Sequence, residues 1–327
     1  MSENGDRTVA VIIPMFNSTS TIVETLESVI GQTYTDLEIV VVDDGSTDDS
    51  VEKVRLMQGR DPRVRLVQQP NSGVAAARNN GAASTTAPYL AFVDADDLWA
   101  PEKVEAQMQL VDESKEPALV WCWCTHIDGE GFVLPTPNQY AGEGNLLEVL
   151  CRFDIIGNGS SLLMPRAVFE GAGGYEPDLR ARGAQGCEDY LFALRAAEHF
   201  PLKVVTRHLV GYRVTDGNMS SNTPRMWRSL RQVCEEYSQK YPLLRTAIDE
   251  NLRHMLNFYT FRSFELGNVP ASYYFLKLIG REEPARLLQM IPTALKTLVI
   301  KNIVPTRFQR RGSAVGKTAS AYMLQQW

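Results

Sequence analysis

The chain has 327 residues, 44% of them hydrophobic and 22% charged, the proportions of a folded globular protein, which exclude a disordered, collagen-like or coiled-coil chain. The net charge of -6 argues against a generally basic nucleic-acid binder, yet residues 284–327 hold seven Lys or Arg and no Asp or Glu, a net +7 against -13 for the rest. Five cysteines without C-x-x-C spacing fit neither a disulfide framework nor a zinc site and point to a reducing compartment; the polar N-terminus does not read as a signal peptide, and no run of 18 apolar residues spans a membrane as a helix.

Thr8 to Pro14 is a β-branched run of the kind buried on both faces of a parallel sheet. Ile22, Leu26, Val29 and Ile30 then follow at helical spacing, and Leu37 to Val42 returns to strand chemistry. Helices over Thr47–Met57 and Gly73–Ala83 alternate with strands over Arg63–Val67 and Pro88–Val93. Such alternation predicts a doubly wound α/β sheet that binds ligands beyond the C-terminal ends of its strands. After Asp97 the rhythm changes to a helix over Pro101–Glu113, a strand over Ala118–Cys124, a Gly/Pro-rich loop through Gly144, a strand near Ser160–Met164, a helix from Asp189 to about His199 and a strand over Leu202–Val210. From Thr223 the pattern is helical, broken at Pro242, Pro270, Pro284, Pro292 and Pro305. The expected organisation is a domain over 1–222 and a helical C-terminal extension with a basic tail over 223–327.

The chemistry is expected at the strand ends. The first strand ends in Pro14-Met15-Phe16-Asn17 rather than G-x-G-x-x-G, so a dinucleotide-binding site is not expected. The second ends in Asp43-Asp44-Gly45-Ser46 and the fourth in Asp94-Ala95-Asp96-Asp97. Five carboxylates at neighbouring strand ends repel one another unless a hard divalent cation or hydrogen-bond donors offset the charge. The competing reading of Asp43, Asp44 and Asp97 is capping of the helices that follow.

The ordered motifs I-I-P-M-F-N, V-V-D-D-G-S-T-D, N-S-G-V-A-A-A-R-N-N-G, F-V-D-A-D-D, G-G-Y and E-D over roughly residues 8–215 resemble the family 2 glycosyltransferases of the GT-A fold, enzymes of bacterial polysaccharide and glycan biosynthesis. The resemblance implies a mixed, doubly wound sheet with helices on both faces, a nucleotide-sugar-binding half over 8–115 and an acceptor-binding half over 116–222. It implies a nucleotide-sugar donor, a UDP-sugar first among them, a glycan or lipid-linked acceptor, a divalent metal (Mg²⁺ or Mn²⁺) and inversion at the anomeric carbon. By that likeness Pro14, Phe16, Asp43, Asp44, Asn71 and Arg78 hold the nucleotide, with Arg78 at the base or a phosphate. Asp94, Asp96 and Asp97 match the D-x-D signature, with Asp94 on the ribose side and Asp96 and Asp97 toward the metal; the sequence does not separate the three. Asp189 is the expected general base, with Glu188 assisting. Tyr212, Arg213 and the loop over 215–222 take the place of a segment that closes over the diphosphate in the family.

Two other classes stand beside this one, a sugar-nucleotide nucleotidyltransferase and a non-catalytic nucleotide-sugar-binding module. The first usually opens on a glycine-rich, basic loop that Pro14 to Ser20 lacks, and retention of Asp189 argues against the second. In the tail, Leu287, Leu288, Ile291, Leu295 and Leu298 share one helical side, followed by Arg307, Arg310 and Arg311. That pattern predicts docking on an anionic membrane surface, hence a cytoplasmic protein, peripheral on the cytoplasmic face of the membrane, unless the apolar side packs on the catalytic domain.

Overall fold

The computed structural model describes residues 6–137, 139–215 and 218–282. The amphipathic and basic segments over 284–327 lie outside the described residues. The chain forms two units, one of residues 6–181 with 188–215 and one of residues 182–187 with 218–282.

The larger unit is built on one eight-stranded sheet. In chain order the strands are β1 (Val9–Met15), β2 (Leu37–Asp43), β3 (Val64–Gln68), β4 (Tyr89–Phe92), β5 (Leu98–Trp99), β6 (Leu119–Ile127), β7 (Leu163–Pro165) and β8 (Leu202–Arg213), in the spatial order β3-β2-β1-β4-β7-β6-β8-β5. Strands β1 to β4 are mutually parallel where they pair, β7 runs antiparallel to both β4 and β6, and β8 is parallel to β6. The sheet is therefore mixed, as expected.

Helices α1 (Ile22–Ile30), α2 (Ser50–Gln58), α3 (Val74–Ala83) and α4 (Lys103–Asp112) carry the crossovers of the first half. Every residue of β1 is buried, because helices cover both faces. The approach of α3 to the sheet explains the glycine of its N-N-G run: a Cβ on Gly81 would stand 2.5 Å from Ile12 Cγ2 and 3.0 Å from Val42 Cγ2. The side-chain amide of Asn79 in the same run donates to Tyr175 O at 2.8 Å and its oxygen accepts from Tyr175 N at 2.9 Å, so the G-G-Y turn is laced to α3. Gly173 and Gly174 there have φ of 78° and 68°, which a side chain would strain.

The second half adds α5 (Leu147–Arg152), α6 (Arg166–Gly171), α7 (Asp178–Ala181) and α8 (Glu188–Ala197). Sequence reading misses α5 to α7, since four to six residues are too few to show a helical period. It also misses β5, two residues that pair with β8 at Leu98↔Gly211 and Trp99↔Val210. The five cysteines are buried and unbridged. The smaller unit consists of α9 (Thr223–Lys240), α10 (Arg245–Glu265) and α11 (Val269–Glu282), and among the described residues no helix is long and apolar enough to cross a membrane.

Candidate active site

The parallel register brings the ends of β1 and β2 together at Met15↔Asp43, with β4 on the other side of β1. Asp43 accepts from Ser46 N at 2.9 Å and from the Gln68 amide at 3.0 Å. Asp44 accepts from the Gln69 amide at 2.8 Å, Ser72 N at 2.7 Å and Gly73 N at 2.8 Å, which ties the end of β2 to the start of α3. Neither caps α2, whose N-cap is Asp49. A Cβ on Gly45, at φ 80°, would lie 3.1 Å from Asn71 N. Phe16 is 48% exposed and Asn71 is exposed, whereas Pro14 is buried within β1 opposite Val42. Pro14 thus lies at the inner end of the loop that exposes Phe16, because the register that buries β1 continues through it.

The turn after β4 is differently built. Asp97 is fully buried. Its Oδ1 accepts from Arg213 N at 2.8 Å and its Oδ2 from the Ser160 hydroxyl. Asp97 N closes the turn on Asp94 O at 3.0 Å, and from below the Thr25 hydroxyl donates to Ala95 O at 3.0 Å and Asp97 O at 2.9 Å. Burial, and then the charges of Asp96 and Asp94, hold the Asp97 carboxyl well above the ordinary carboxylate range. With one protein donor on each oxygen, the Asp97 carboxyl braces the turn, and Asp96 is the more accessible of the two. Asp96 is half-buried, and burial followed by repulsion from Asp94 pushes it up to about 6.

Arg78, from α3, is the hinge of the site. Its guanidinium is 2% exposed and divides between two carboxylates, Nη1 donating to Asp189 Oδ1 at 2.6 Å and Nη2 to Asp94 Oδ1 at 2.7 Å. It lies over the Tyr175 ring, 4.8 Å from the centroid. Its partners are thus carboxylates of the protein itself, a placement the sequence does not disclose. Asp189 opens α8 beside the buried Glu188. Burial drives Asp189 up to about 7; Arg78 opposes that rise, while Asp94, Glu188 and Asp154 add to it.

Several positioning residues carry no motif. The backbone after α5 turns through Gly157 and runs to Ser161, and Ser160 Oγ accepts from Asp94 N at 3.0 Å while donating to Asp97. Trp99 Nε1 donates to Ser160 O at 2.9 Å and Gln107 to Ser161 O at 2.8 Å. Lys103 Nζ sits 3.7 Å from the Trp99 ring centroid and 3.3 Å from Leu162 O, its pKa pushed down to about 7 by burial. The glycines around Asn158 in G-N-G-S-S were the available signal for Ser160. Arg213, at the end of β8, is 2% exposed, with Nε donating to Asp96 O at 2.7 Å and Nη2 to Glu24 at 2.7 Å.

The structure therefore separates the five strand-end carboxylates into two groups. Asp43 and Asp44 are satisfied by hydrogen-bond donors, and Asp94, Asp96 and Asp97 form the acidic group, joined through Arg78 to Asp189. Among the described residues no three His, Cys, Asp or Glu side chains are grouped so as to hold a metal alone. A cation seated here must therefore complete its shell with ligand or water oxygens, and Asp96, whose ionised form is disfavoured by burial and by Asp94, fits such an ion.

Beside this group a cavity of about 380 Å³ is lined by Cys124, His126, Gln139, Tyr140, Phe153, Ile156, Asn158 and Tyr212, among others, with no Lys or Arg in its described wall. A cavity of about 600 Å³ within the helical unit is lined by none of the predicted site residues.

The profile of glycosyl transferase family 2 matches residues 10–167. An uncharacterized glycosyltransferase of Escherichia coli, YibD, is 40% identical over 130 residues, 39% of this chain and 38% of that protein. Chondroitin synthase of Pasteurella multocida is 31% identical over 126 residues, 38% of this chain and 13% of that protein. The chain thus spans less than two fifths of the length of either relative. Among solved structures, Staphylococcus aureus TarS residues 1–349 in complex with UDP-GlcNAc superposes with a TM-score of 0.63 at 18% identity, over 90% of this chain and 85% of that one. The mannosyltransferase PcManGT of Pyrobaculum calidifontis, in complex with GDP-Man and Mn²⁺, gives 0.59 at 18% identity, over 93% and 89%. Profile, relatives and sheet agree with the acidic strand ends, and residues 10–167 of this chain belong to glycosyl transferase family 2, built on the GT-A fold.

Proposed function

We propose that the protein is an inverting glycosyltransferase that moves a sugar from a nucleotide-sugar donor, a UDP-sugar in the first instance, to a hydroxyl of a glycan or lipid-linked acceptor. The observation that carries this reading is Asp189, a carboxyl pushed up to about 7 and held at 2.6 Å by the same buried guanidinium that holds Asp94. A group with that proton affinity is suited to take a proton near neutral pH.

Residues 8–115 are assigned to the donor. Phe16 offers an exposed ring to the base, Asp44 keeps room for one more donor beside the three it holds, Asp43 and Asn71 edge the same loop, and Asp94 faces the ribose. TarS and PcManGT, the structural neighbours with UDP-GlcNAc and with GDP-Man and Mn²⁺, support a nucleoside diphosphate there. The divalent ion, Mg²⁺ or Mn²⁺, is assigned to Asp96 and the donor's diphosphate oxygens, where it would offset charge on the leaving nucleoside diphosphate.

Residues 116–222 are assigned to the acceptor, with the aromatic cavity at Tyr140, Phe153 and Tyr212 as the space for it. Asp189 takes the proton of the acceptor hydroxyl, assisted by Glu188 in placing that hydroxyl. The oxygen forms its bond to the anomeric carbon as the bond to the diphosphate breaks, the electron pair leaving with the diphosphate. One displacement with one base inverts the configuration. We assign the protein to the cytoplasmic side, with residues 284–327 docking on anionic lipid; flotation of full-length chain with anionic liposomes, lost on truncation at Pro284, tests that assignment.

The deciding experiment is release of nucleoside diphosphate from UDP-, GDP- and dTDP-sugars with Mn²⁺, Mg²⁺ or EDTA, alongside Asp189→Asn and Asp96→Asn. Metal-dependent turnover of one donor, lost in both variants, is the expected result. A wild-type protein that no nucleotide with metal stabilises against heat would overturn the reading.

A further inference from the structure

The guanidinium of Arg78 is shared, at 2.6 and 2.7 Å, between the carboxylate that opens α8 and the carboxylate that ends β4. The Tyr175 ring lies against it, and Gly159 approaches so closely that a Cβ there would stand 2.6 Å from Asp189 Oδ1 and 2.9 Å from Arg78 Nη2. The N-x-G-x-x-x-A-R segment, the first Asp of D-A-D-D, the Asp of E-D and an unflagged glycine therefore meet at one buried cation. The groups facing Asp189 are Arg78 from α3, Asp94 from the turn after β4, Glu188 from α8 itself, Asp154 from the loop after α5, the buried Tyr175 of the G-G-Y turn and the Gly159 backbone.

We infer that Arg78 is a positioning residue for the proposed base: it locks the Asp189 carboxylate in one orientation and ties it to Asp94, with Gly159 granting the space the pair needs. The inference rests on the reading of Asp189 as the base, while its physical content, a guanidinium governing one carboxylate, stands apart from catalysis. Arg78 favours the ionised form of Asp189 and Asp94 disfavours it. Removing one or the other must therefore move Asp189 in opposite directions, a signature that loss of packing alone does not produce.

The test is a carboxyl ¹³C titration of the full-length protein labelled at aspartate, with Asp189→Asn identifying the resonance. In the wild type the midpoint is expected at about 7. Arg78→Met should raise it by about 1 to 3 pH units, the effect of an opposite charge at this range. Asp94→Asn should lower it. Arg78→Lys should fall between wild type and Arg78→Met, since an ammonium cannot span both carboxylates as a planar fork does. Gly159→Ala should raise it with no charge removed, because the methyl must part the pair; this variant and Arg78→Lys carry the test if Arg78→Met fails to fold. Coincident midpoints in wild type, Arg78→Lys and Gly159→Ala would overturn the inference, as would a rise in Asp94→Asn. UDP and GDP binding with Mn²⁺, measured by calorimetry on the same samples, separates the two readings. Midpoints that move as stated in a protein that binds neither nucleotide would sink the transferase reading and leave the clamp standing. Nucleotide binding with unmoved midpoints would do the reverse.

Discussion

The carboxylates at the end of β2 and those at the end of β4 begin with the same sequence chemistry and end in opposite states. Asp43 and Asp44 receive five hydrogen bonds, two and three, from Ser46, Gln68, Gln69, Ser72 and Gly73. Around β4, Asp94 and Asp189 share one guanidinium, Arg78, Asp96 stands beside Asp94, and Asp97 is shut in the interior. Donors can neutralise the cost of burying a carboxylate locally, and the first group then serves as ties between loops. Where carboxylates outnumber cations, the pKa values of Asp96 and Asp189 rise to about 6 and about 7, and the site is arranged to accept a proton or positive charge.

Substitutions should fall on the two sides of that division. Asp189→Asn should reduce sugar transfer by about 10² to 10⁴-fold, and the wild-type rate should climb as pH rises through about 7, where the base ionises. The sign for stability is the reverse. A carboxyl with a native pKa above its unfolded value favours the fold most at low pH and loses that contribution as pH rises to about 7. Asp189→Asn should therefore melt higher than wild type at pH 8, measured by calorimetry, and a lower melting point there would contradict the balance of burial over Arg78. Asp96→Asn should cost on the order of 10²-fold in metal-dependent turnover and, by the same sign, raise the melting temperature at pH 8 by less than Asp189→Asn does, since Asp96 rises only to about 6.

Asp97→Ala belongs with the structural carboxyls despite standing beside Asp96. It leaves Arg213 N and the Ser160 hydroxyl without their acceptor and should cost about 1 to 3 kcal/mol of stability in a denaturant titration. Asp44→Ala frees Ser72 N, on an exposed residue, and Gly73 N, on a buried one, and should cost about 1 kcal/mol, with faster amide exchange confined to residues 71–75. Phe153→Ala, on the cavity wall, is expected to change least: a few-fold rise in acceptor KM, about 1 kcal/mol, with donor KM unaltered. A change in donor KM instead would move that cavity to the donor side.

Much of this organisation was legible in the chain. Continuous Val and Ile runs predict the buried strands β1 and β2, and turn residues between them predict the crossovers, because a parallel strand covered on both faces needs no alternation. The acidic strand ends were equally plain. Which carboxylate does what was not: Asp97 reads like its neighbours in D-A-D-D, and only the packing of Ser160 and Arg213, 63 and 116 positions away, sets it apart.

The sequence by itself determined the strand-and-helix order, the family resemblance and the residues from which a site is drawn, since these depend on local periodicity and motif spacing. The tertiary structure alone decided that Arg78 meets Asp189, 111 positions distant, and that Gly159 must lack a side chain beside them. It likewise decided that five like carboxylates divide into bonded ties and a charged centre. Proton affinity and orientation are set by burial and by the nearest charge, and in a chain that folds back through a mixed sheet those neighbours come from segments no local pattern connects.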